Sequence, residues 1–89
     1  MLKEIAEKYR IIYIHLDGEE REKEFLKQAE SEGFIFGDGT KPTEKTPSDF
    51  FAVHSDGTIN YLGTIGRIAY QAHGVKTLEY SQLKQAHTD

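Results

Sequence analysis

Phe50 to Leu62 reads FFAVHSDGTINYL, two runs of strand-forming residues separated by a turn. Ser55 to Gly57 suits a three-residue hairpin loop, with Gly57 in the left-handed conformation that glycine tolerates. Because side chains alternate across a strand, this loop fixes which residues face each other. It predicts two facing pairs on one apolar face, Val53 with Ile59 and Phe51 with Tyr61. The other face of the hairpin is expected to be largely polar.

Residues 10–16 (RIIYIHL) are rich in β-branched and aromatic side chains without polar alternation. This composition is typical of a strand covered on both faces, so we expect it to be the central strand of the sheet. Asp17 then offers a carboxylate as a helix N-cap, and Glu20 completes a capping box. Gly33 is expected to end the helix predicted for residues 19–32, because it can adopt the left-handed C-terminal cap. The buried stripe of this helix would be Phe25, Leu26 and Ala29.

Three further segments flank this core. A short N-terminal amphipathic helix is indicated by the helical spacing of Leu2, Ile5, Ala6 and Tyr9. Residues 34–36 predict a second strand after the long helix. Residues 40–48 contain both prolines and no hydrophobic residue, so we expect an exposed loop that is the most mobile part of the molecule.

The hydrophobic pattern of the C-terminal third is compatible with more than one secondary structure. We favour a short helix for residues 64–73, although their β-branched residues and Gly66 weaken the helical pattern and a strand is the alternative. Residues 75–80 read as a last strand, and the polar residues 81–89 as a frayed or disordered tail. The predicted fold is a single α+β domain over residues 1–80, with a four- to five-stranded, mainly antiparallel sheet and the acidic helix packed on one face.

The composition bounds the protein class. Eighty-nine residues, of which 37% are hydrophobic, suffice for one core and no second domain. The chain has no cysteine, which excludes disulfides and thiolate chemistry and favours a reducing compartment, so we expect a cytoplasmic protein. We also expect no targeting segment and no membrane association, because the longest apolar run is far shorter than a membrane helix.

The net charge of −4 is concentrated in one segment. Residues 17–32 hold seven acidic and three basic residues, and the rest of the chain is balanced. Since the chain has no basic patch or tail, we expect no direct nucleic-acid binding. The acidic helix could imitate DNA phosphates, but its charges are interleaved at helical ion-pair spacing, which favours a solvated face. The predicted pairs are Glu19–Lys23, Glu20–Lys23, Glu24–Lys27 and Lys27–Glu30.

Two stretches together resemble small accessory proteins that are common in bacteriophage and prophage genomes. They are IIYIHLDGEEREKEFLKQAESEGFIFGDGT (residues 11–40) and DFFAVHSDGTINYLG (residues 49–63). The shared layout is a strand, an acidic helix, a glycine, an aromatic strand and a hairpin. The resemblance implies a phage-encoded protein in a bacterial cytoplasm, where small non-enzymatic binders of host factors or signalling nucleotides are frequent. It carries over no functional residue.

Catalytic and metal-binding patterns are weak in this chain. The four histidines lie at least fourteen residues apart, so a metal site would have to be assembled entirely by folding, and we predict no metal or cofactor. His54, Ser55 and Asp56 are adjacent, but turn chemistry explains them, whereas catalytic groups converge from distant segments. We therefore predict no catalytic residues and a protein that is not an enzyme.

One segment after the hairpin suggests anion binding. If a helix begins near Thr64, its free N–H groups form an anion site, Gly63 and Gly66 allow close approach, and Arg67 can clamp phosphate oxygens. Its spacing matches neither G-x-x-x-x-G-K-[ST] nor G-x-G-x-x-G, and an ordinary strand-to-helix turn with Arg67 on the surface is the simpler explanation. The full predicted ligand site adds a loop cation and two aromatic rings: Lys41, Tyr61 and Tyr70.

These observations predict a non-enzymatic, phage-encoded binding protein that sequesters or blocks a host component. The partner would be a host protein or a small nucleotide-like anion, and homo-oligomers are possible. A counter-defence inhibitor is one example of this class. The alternatives are a small enzyme such as a nucleotide hydrolase, or a structural or regulatory phage protein. Converging His, Asp or Glu side chains would favour the enzyme.

Overall fold

The computed structural model of this chain describes residues 1–62 and 76–86, which are arranged around one sheet. In chain order the elements are α1 (Leu2–Tyr9), β1 (Ile11–His15), α2 (Glu19–Ser31), β2 (Ile35–Phe36), a 3-10 turn (Pro42–Glu44), β3 (Phe50–His54), β4 (Thr58–Tyr61), β5 (Thr77–Glu79) and α3 (Tyr80–Ala86). The helix predicted for residues 64–73 lies outside the described residues. Within them, no helix has the length and apolar character that a membrane span requires.

The sheet is mixed, with five described strands in the order β2-β4-β3-β1-β5. The hairpin strand β3 is antiparallel to both of its neighbours, β1 and β4. The outer strands are parallel to theirs, β5 to β1 and β2 to β4. The α+β class is confirmed, but the prediction of a mainly antiparallel sheet is wrong. One physical cause of the mixed sheet is the helix α2. It returns the chain across the sheet, so that β2 runs in the same direction as β1 and pairs with β4 in parallel.

The strand β1 occupies the interior position predicted for it, between β3 and β5. Its side chains alternate between full and partial burial: Ile12 and Ile14 are completely buried, whereas Ile11 and Tyr13 are half-buried. The fully buried face joins the main core. The other face joins a smaller apolar cluster that includes Phe50.

The hairpin has the predicted register. Val53 pairs with Ile59, and Phe51 pairs with Tyr61. Gly57 has a φ of 93°, the left-handed conformation that the loop was expected to need. The Asp56 carboxylate completes the turn by accepting the Thr58 N–H at 3.0 Å and its hydroxyl at 2.6 Å.

The N-terminal cap of α2 differs from the prediction. The helix begins at Glu19, and its N-cap is Gly18, which has a φ of 112° and provides no side-chain cap. The proposed capping box of Asp17 and Glu20 is therefore wrong, because Gly18 stands between Asp17 and the helix.

The end of α2 matches the prediction. Gly33 has a φ of 91°, and its N–H donates to Glu30 O at 3.1 Å. The next N–H, of Phe34, donates to Ala29 O at 2.9 Å, which completes a Schellman motif. The Phe34 side chain is buried just beyond the cap.

Phe25 lies at the centre of the main core and is completely buried. Its ring stacks on Phe51 of β3 with centroids 4.9 Å apart and meets the Tyr80 ring edge-on at 5.7 Å. The predicted stripe partners Leu26 and Ala29 are buried as well.

The chain after β5 is helical. The sequence predicted a strand through Tyr80 and then a frayed tail, whereas the structure ends the strand at Glu79 and forms α3 from Tyr80 to Ala86. This helix is anchored because Tyr80 is 1% exposed and Leu83 packs against the main core. The Tyr80 hydroxyl donates to Gln28 Oε1 at 2.5 Å, and burial raises the pKa of Tyr80 to about 12.

Candidate functional site

Most of the predicted ligand site falls outside the described residues. This applies to Gly63, Thr64, Gly66, Arg67 and Tyr70. The described members are Lys41 and Tyr61. Lys41 is exposed beside the 3-10 turn. The Tyr61 ring packs against Phe36 and Phe51 with centroids 5.3 Å from each, so one face that was expected to stack on a base is used inside the protein.

A groove of about 320 Å³ lies between α2 and the 40–48 loop. Its lining combines three cations with small and apolar side chains: Lys23, Leu26, Lys27, Thr43, Lys45 and Pro47. Sequence reasoning assigned Lys23 and Lys27 only to ion pairs within the helix and so missed this site. Their four-residue spacing, which puts both on one helix face, was the available signal.

The loop that forms one wall of the groove is tied to the rest of the fold. Thr43 donates its N–H at 3.1 Å and its hydroxyl at 2.6 Å to Glu30 Oε1 of α2. These two hydrogen bonds lower the pKa of Glu30, and the bond from the hydroxyl has the larger effect. Pro42 is buried, and the Tyr61 hydroxyl donates to Thr46 O at 2.6 Å. The loop expected to be the most mobile segment is therefore held at several points along its length.

Lys45 is positioned by two neighbours. Its Nζ donates to Asp38 Oδ2 at 2.8 Å and lies 5.2 Å from the centroid of the Phe36 ring. The hydrogen bond with Asp38 raises the pKa of Lys45, and the same bond, with help from the Thr40 N–H, holds the pKa of Asp38 well below its ordinary 3.8. Lys45 consequently keeps its charge in neutral and moderately alkaline solution.

The two helix lysines are more available. Lys23 pairs with Glu19 at 3.4 Å, but their side chains are 60% and 76% exposed, so this pair contributes little. Lys27 forms no ion pair within residues 1–62 and 76–86. The predicted partner Glu30 accepts its hydrogen bonds from Thr43 instead. Within the described structure, an anion entering the groove would therefore meet Lys27, which has no ion pair there. It would also meet Lys23 and Lys45, whose charges are partly neutralised by Glu19 and Asp38.

A second, smaller cleft of about 140 Å³ contains Glu32 and His54, but both are committed to internal hydrogen bonds. Glu32 accepts the backbone N–H groups of Leu2 and Lys3 at the start of α1, at 3.2 and 2.9 Å. His54 Nε2 lies 2.5 Å from Asn60 Oδ1. These groups serve the fold, so the lysine groove is the better ligand site.

One histidine and carboxylate pair does converge. His15 Nδ1 lies 2.8 Å from Oε1 and 3.0 Å from Oε2 of Glu79, where the adjacent parallel strands β1 and β5 end. An ionised carboxylate only accepts hydrogen bonds, so Nδ1 is the donor in this contact, and Nε2 can accept a hydrogen bond whenever the ring carries a single proton. Both side chains are partly exposed. Sequence reasoning missed this pair because its members are 64 residues apart.

Among the residues that the structure describes, no group of three or more His, Asp or Glu side chains is arranged to hold a metal ion. Comparison of the chain with protein-family models, with curated proteins and with solved structures found no match. The lysine groove and the His15–Glu79 pair are therefore the two features of the described structure that bear on function.

Proposed function

We propose that this chain is a non-enzymatic binding protein that captures a small, nucleotide-like anion in the lysine groove. The observation that supports this is the convergence of Lys23, Lys27 and Lys45 from two elements around about 320 Å³. That volume is at the lower end of the range for small-molecule sites, about 300–1,000 Å³, and suits a ligand of mononucleotide size.

The charge distribution supports capture of an anion by a protein that is acidic as a whole. The net charge is −4, so cations gathered at one groove oppose the general field of the molecule. The groove wall that carries Lys45 is held in place by the Thr43–Glu30 and Lys45–Asp38 contacts. A site that is already ordered loses less conformational entropy when it binds its ligand.

The biological setting that we propose is sequestration of a host component by a phage-encoded protein in a bacterial cytoplasm, as in counter-defence. Its support is the resemblance in layout to phage accessory proteins. A version in which the chain blocks a host protein through its surface is an alternative within the same class. It becomes the leading version if no small anion binds.

A thermal-shift screen tests the proposal. A ligand at 100 times its dissociation constant stabilises the folded state by about 2.7 kcal/mol, which raises the melting temperature of so small a domain by roughly 10 °C or more. We expect nucleotides to produce such a shift in the wild type and in Lys8→Ala, a control on α1, and a much smaller one in Lys27→Ala. Equal shifts in all three proteins would place the ligand elsewhere.

A second candidate, a small enzyme such as a nucleotide hydrolase, is favoured by the His15–Glu79 pair. A carboxylate that fixes the Nδ1 proton leaves Nε2 able to accept a proton from water or a hydroxyl group, as a general base must. The test is phosphorus NMR of a nucleotide incubated with the protein. A nucleotide recovered unchanged supports capture, whereas conversion by the wild type and not by His15→Ala supports the enzyme.

A further inference from the structure

The cations of the groove stand on two walls. Lys23 and Lys27 are four residues apart on α2, a spacing that puts their Cβ atoms about 6 Å apart on one face. Lys45 approaches from the loop. An anionic group that contacts both walls would therefore meet lysine side chains from two directions. A group with three oxygen atoms offers these lysines more hydrogen-bond acceptors than a group with two.

Within the part of the chain that the structure describes, the charged side chains that line the groove are all lysines. The Thr43 hydroxyl, the polar side chain beside them, already donates to Glu30 at 2.6 Å. A lysine ammonium is a compact charge without the fixed fork of arginine, so it responds to the amount of charge on its partner more than to its shape. A phosphomonoester concentrates about −1.5 to −2 charges on one group near neutral pH, more than a phosphodiester or a carboxylate does.

The apolar part of the lining is aliphatic. Leu26 and Pro47 provide contact area, but among residues 1–62 and 76–86 no aromatic ring lines the groove, and Tyr61 is packed against Phe36 and Phe51. Aliphatic contacts do not distinguish one nucleobase from another by stacking or by hydrogen bonding.

We infer that the groove recognises the terminal phosphoryl group of a phosphomonoester and is indifferent to the base that the ester carries. This inference rests on the proposed function and specifies its ligand class. Lys27, which lacks an ion pair within the described structure, is the primary contact of the phosphoryl group. Lys45 contacts the same group from the opposite wall of the groove.

Isothermal titration calorimetry tests this with adenosine 5′-monophosphate, cytidine 5′-monophosphate, adenosine 3′,5′-cyclic monophosphate, adenosine and succinate. We expect the two 5′-monophosphates to bind within about threefold of each other. We expect the cyclic diester and succinate, whose charges are fewer or divided, to bind about tenfold more weakly or worse, and adenosine to give no binding. Lys27→Ala should weaken both monophosphates about tenfold, and Lys8→Ala should leave them unchanged.

The results distinguish failure of the phosphomonoester preference from failure of anion capture itself. If the cyclic diester or succinate binds as tightly as the monophosphates and Lys27→Ala weakens them all, the phosphomonoester preference is wrong and anion capture stands. A difference of more than about tenfold between the adenine and cytosine esters overturns base indifference. If no compound binds the wild type, or if Lys27→Ala binds as the wild type does, both the inference and the groove as the site of capture are wrong.

Discussion

Glu32 joins two helices through one carboxylate. It accepts the Leu2 and Lys3 N–H groups at the start of α1 and the side-chain amide of Gln28 of α2, the last at 2.9 Å. Burial opposes its ionisation, but hydrogen bonds from Lys3, Gln28 and Leu2 outweigh burial, so the pKa of Glu32 lies below its ordinary 4.5. Gln28 in turn accepts the Tyr80 hydroxyl, which connects α3 to the same network.

This lowered pKa predicts an acid-sensitive contribution to stability. The unfolded chain takes up a proton at Glu32 more readily than the folded chain does, so the contribution is present above the ordinary pKa of 4.5 and is lost as the pH falls through the lowered pKa of the folded protein. We expect Glu32→Gln to reduce the free energy of unfolding more at pH 7 than at pH 3.5, as measured by urea titration at both values. An equal reduction at both pH values would contradict this account.

Phe25 is the side chain on which the main core depends most. Phe25→Ala would leave a ring-sized cavity between Phe51 and Tyr80, and we expect a loss of about 3–5 kcal/mol in the free energy of unfolding. Total stabilities of such domains are about 5–15 kcal/mol, so we expect this variant to unfold at much lower urea concentrations than the wild type. The 40%-exposed Tyr9 is the control, and Tyr9→Ala should cost less than about 1 kcal/mol. Similar losses in both variants would show that this contact is not central.

At the scale of helices and strands, the left-handed backbone conformation of Gly33 ends α2, and its contribution to stability can be tested by substitution. A Cβ at Gly33 meets nothing within 4 Å, so the cost of Gly33→Ala arises from its φ of 91° and not from a clash. We expect a loss of about 1–2 kcal/mol. Gly37 has equal space and no positive φ, so Gly37→Ala should be neutral or slightly stabilising. Urea titration of both variants decides the matter, and equal effects would be inconsistent with a conformational origin.

Elements with local signals could be predicted from the sequence, and those assembled over distance could not. The hairpin register followed from Gly57 and the alternation around it, and the end of α2 followed from Gly33. The predicted N-cap of α2 was wrong by one residue, because Gly18 separates Asp17 from the helix. The parallel pairing of β5, the helix at Tyr80 and the lysine groove depend on contacts between remote segments, which no local pattern encodes.

For the molecule as a whole, the interior position of β1 predicts a gradient of protection. The Leu16 N–H at the end of β1 donates toward β3, to Asp49 O, and the Tyr13 N–H donates toward β5, to Lys76 O. Opening β1 therefore requires separation from both neighbours. We expect the amides of Ile12 and Ile14 to exchange with deuterium far more slowly than those of residues 41–45. Comparable rates in the two segments, measured by NMR, would refute the sheet order.

The pairing of β1 with β5 also sets the moment during translation at which the protein can close. His15 leaves the ribosome 64 residues before its partner Glu79, and Tyr80, which covers the edge of the Phe25 ring, follows later still. Until then one side of β1 offers unsatisfied N–H and C=O groups to any extended strand nearby, including the same strand of a neighbouring nascent chain. Thr77 to Tyr80 therefore cover an open edge of β1 and part of the core as well as complete the sheet.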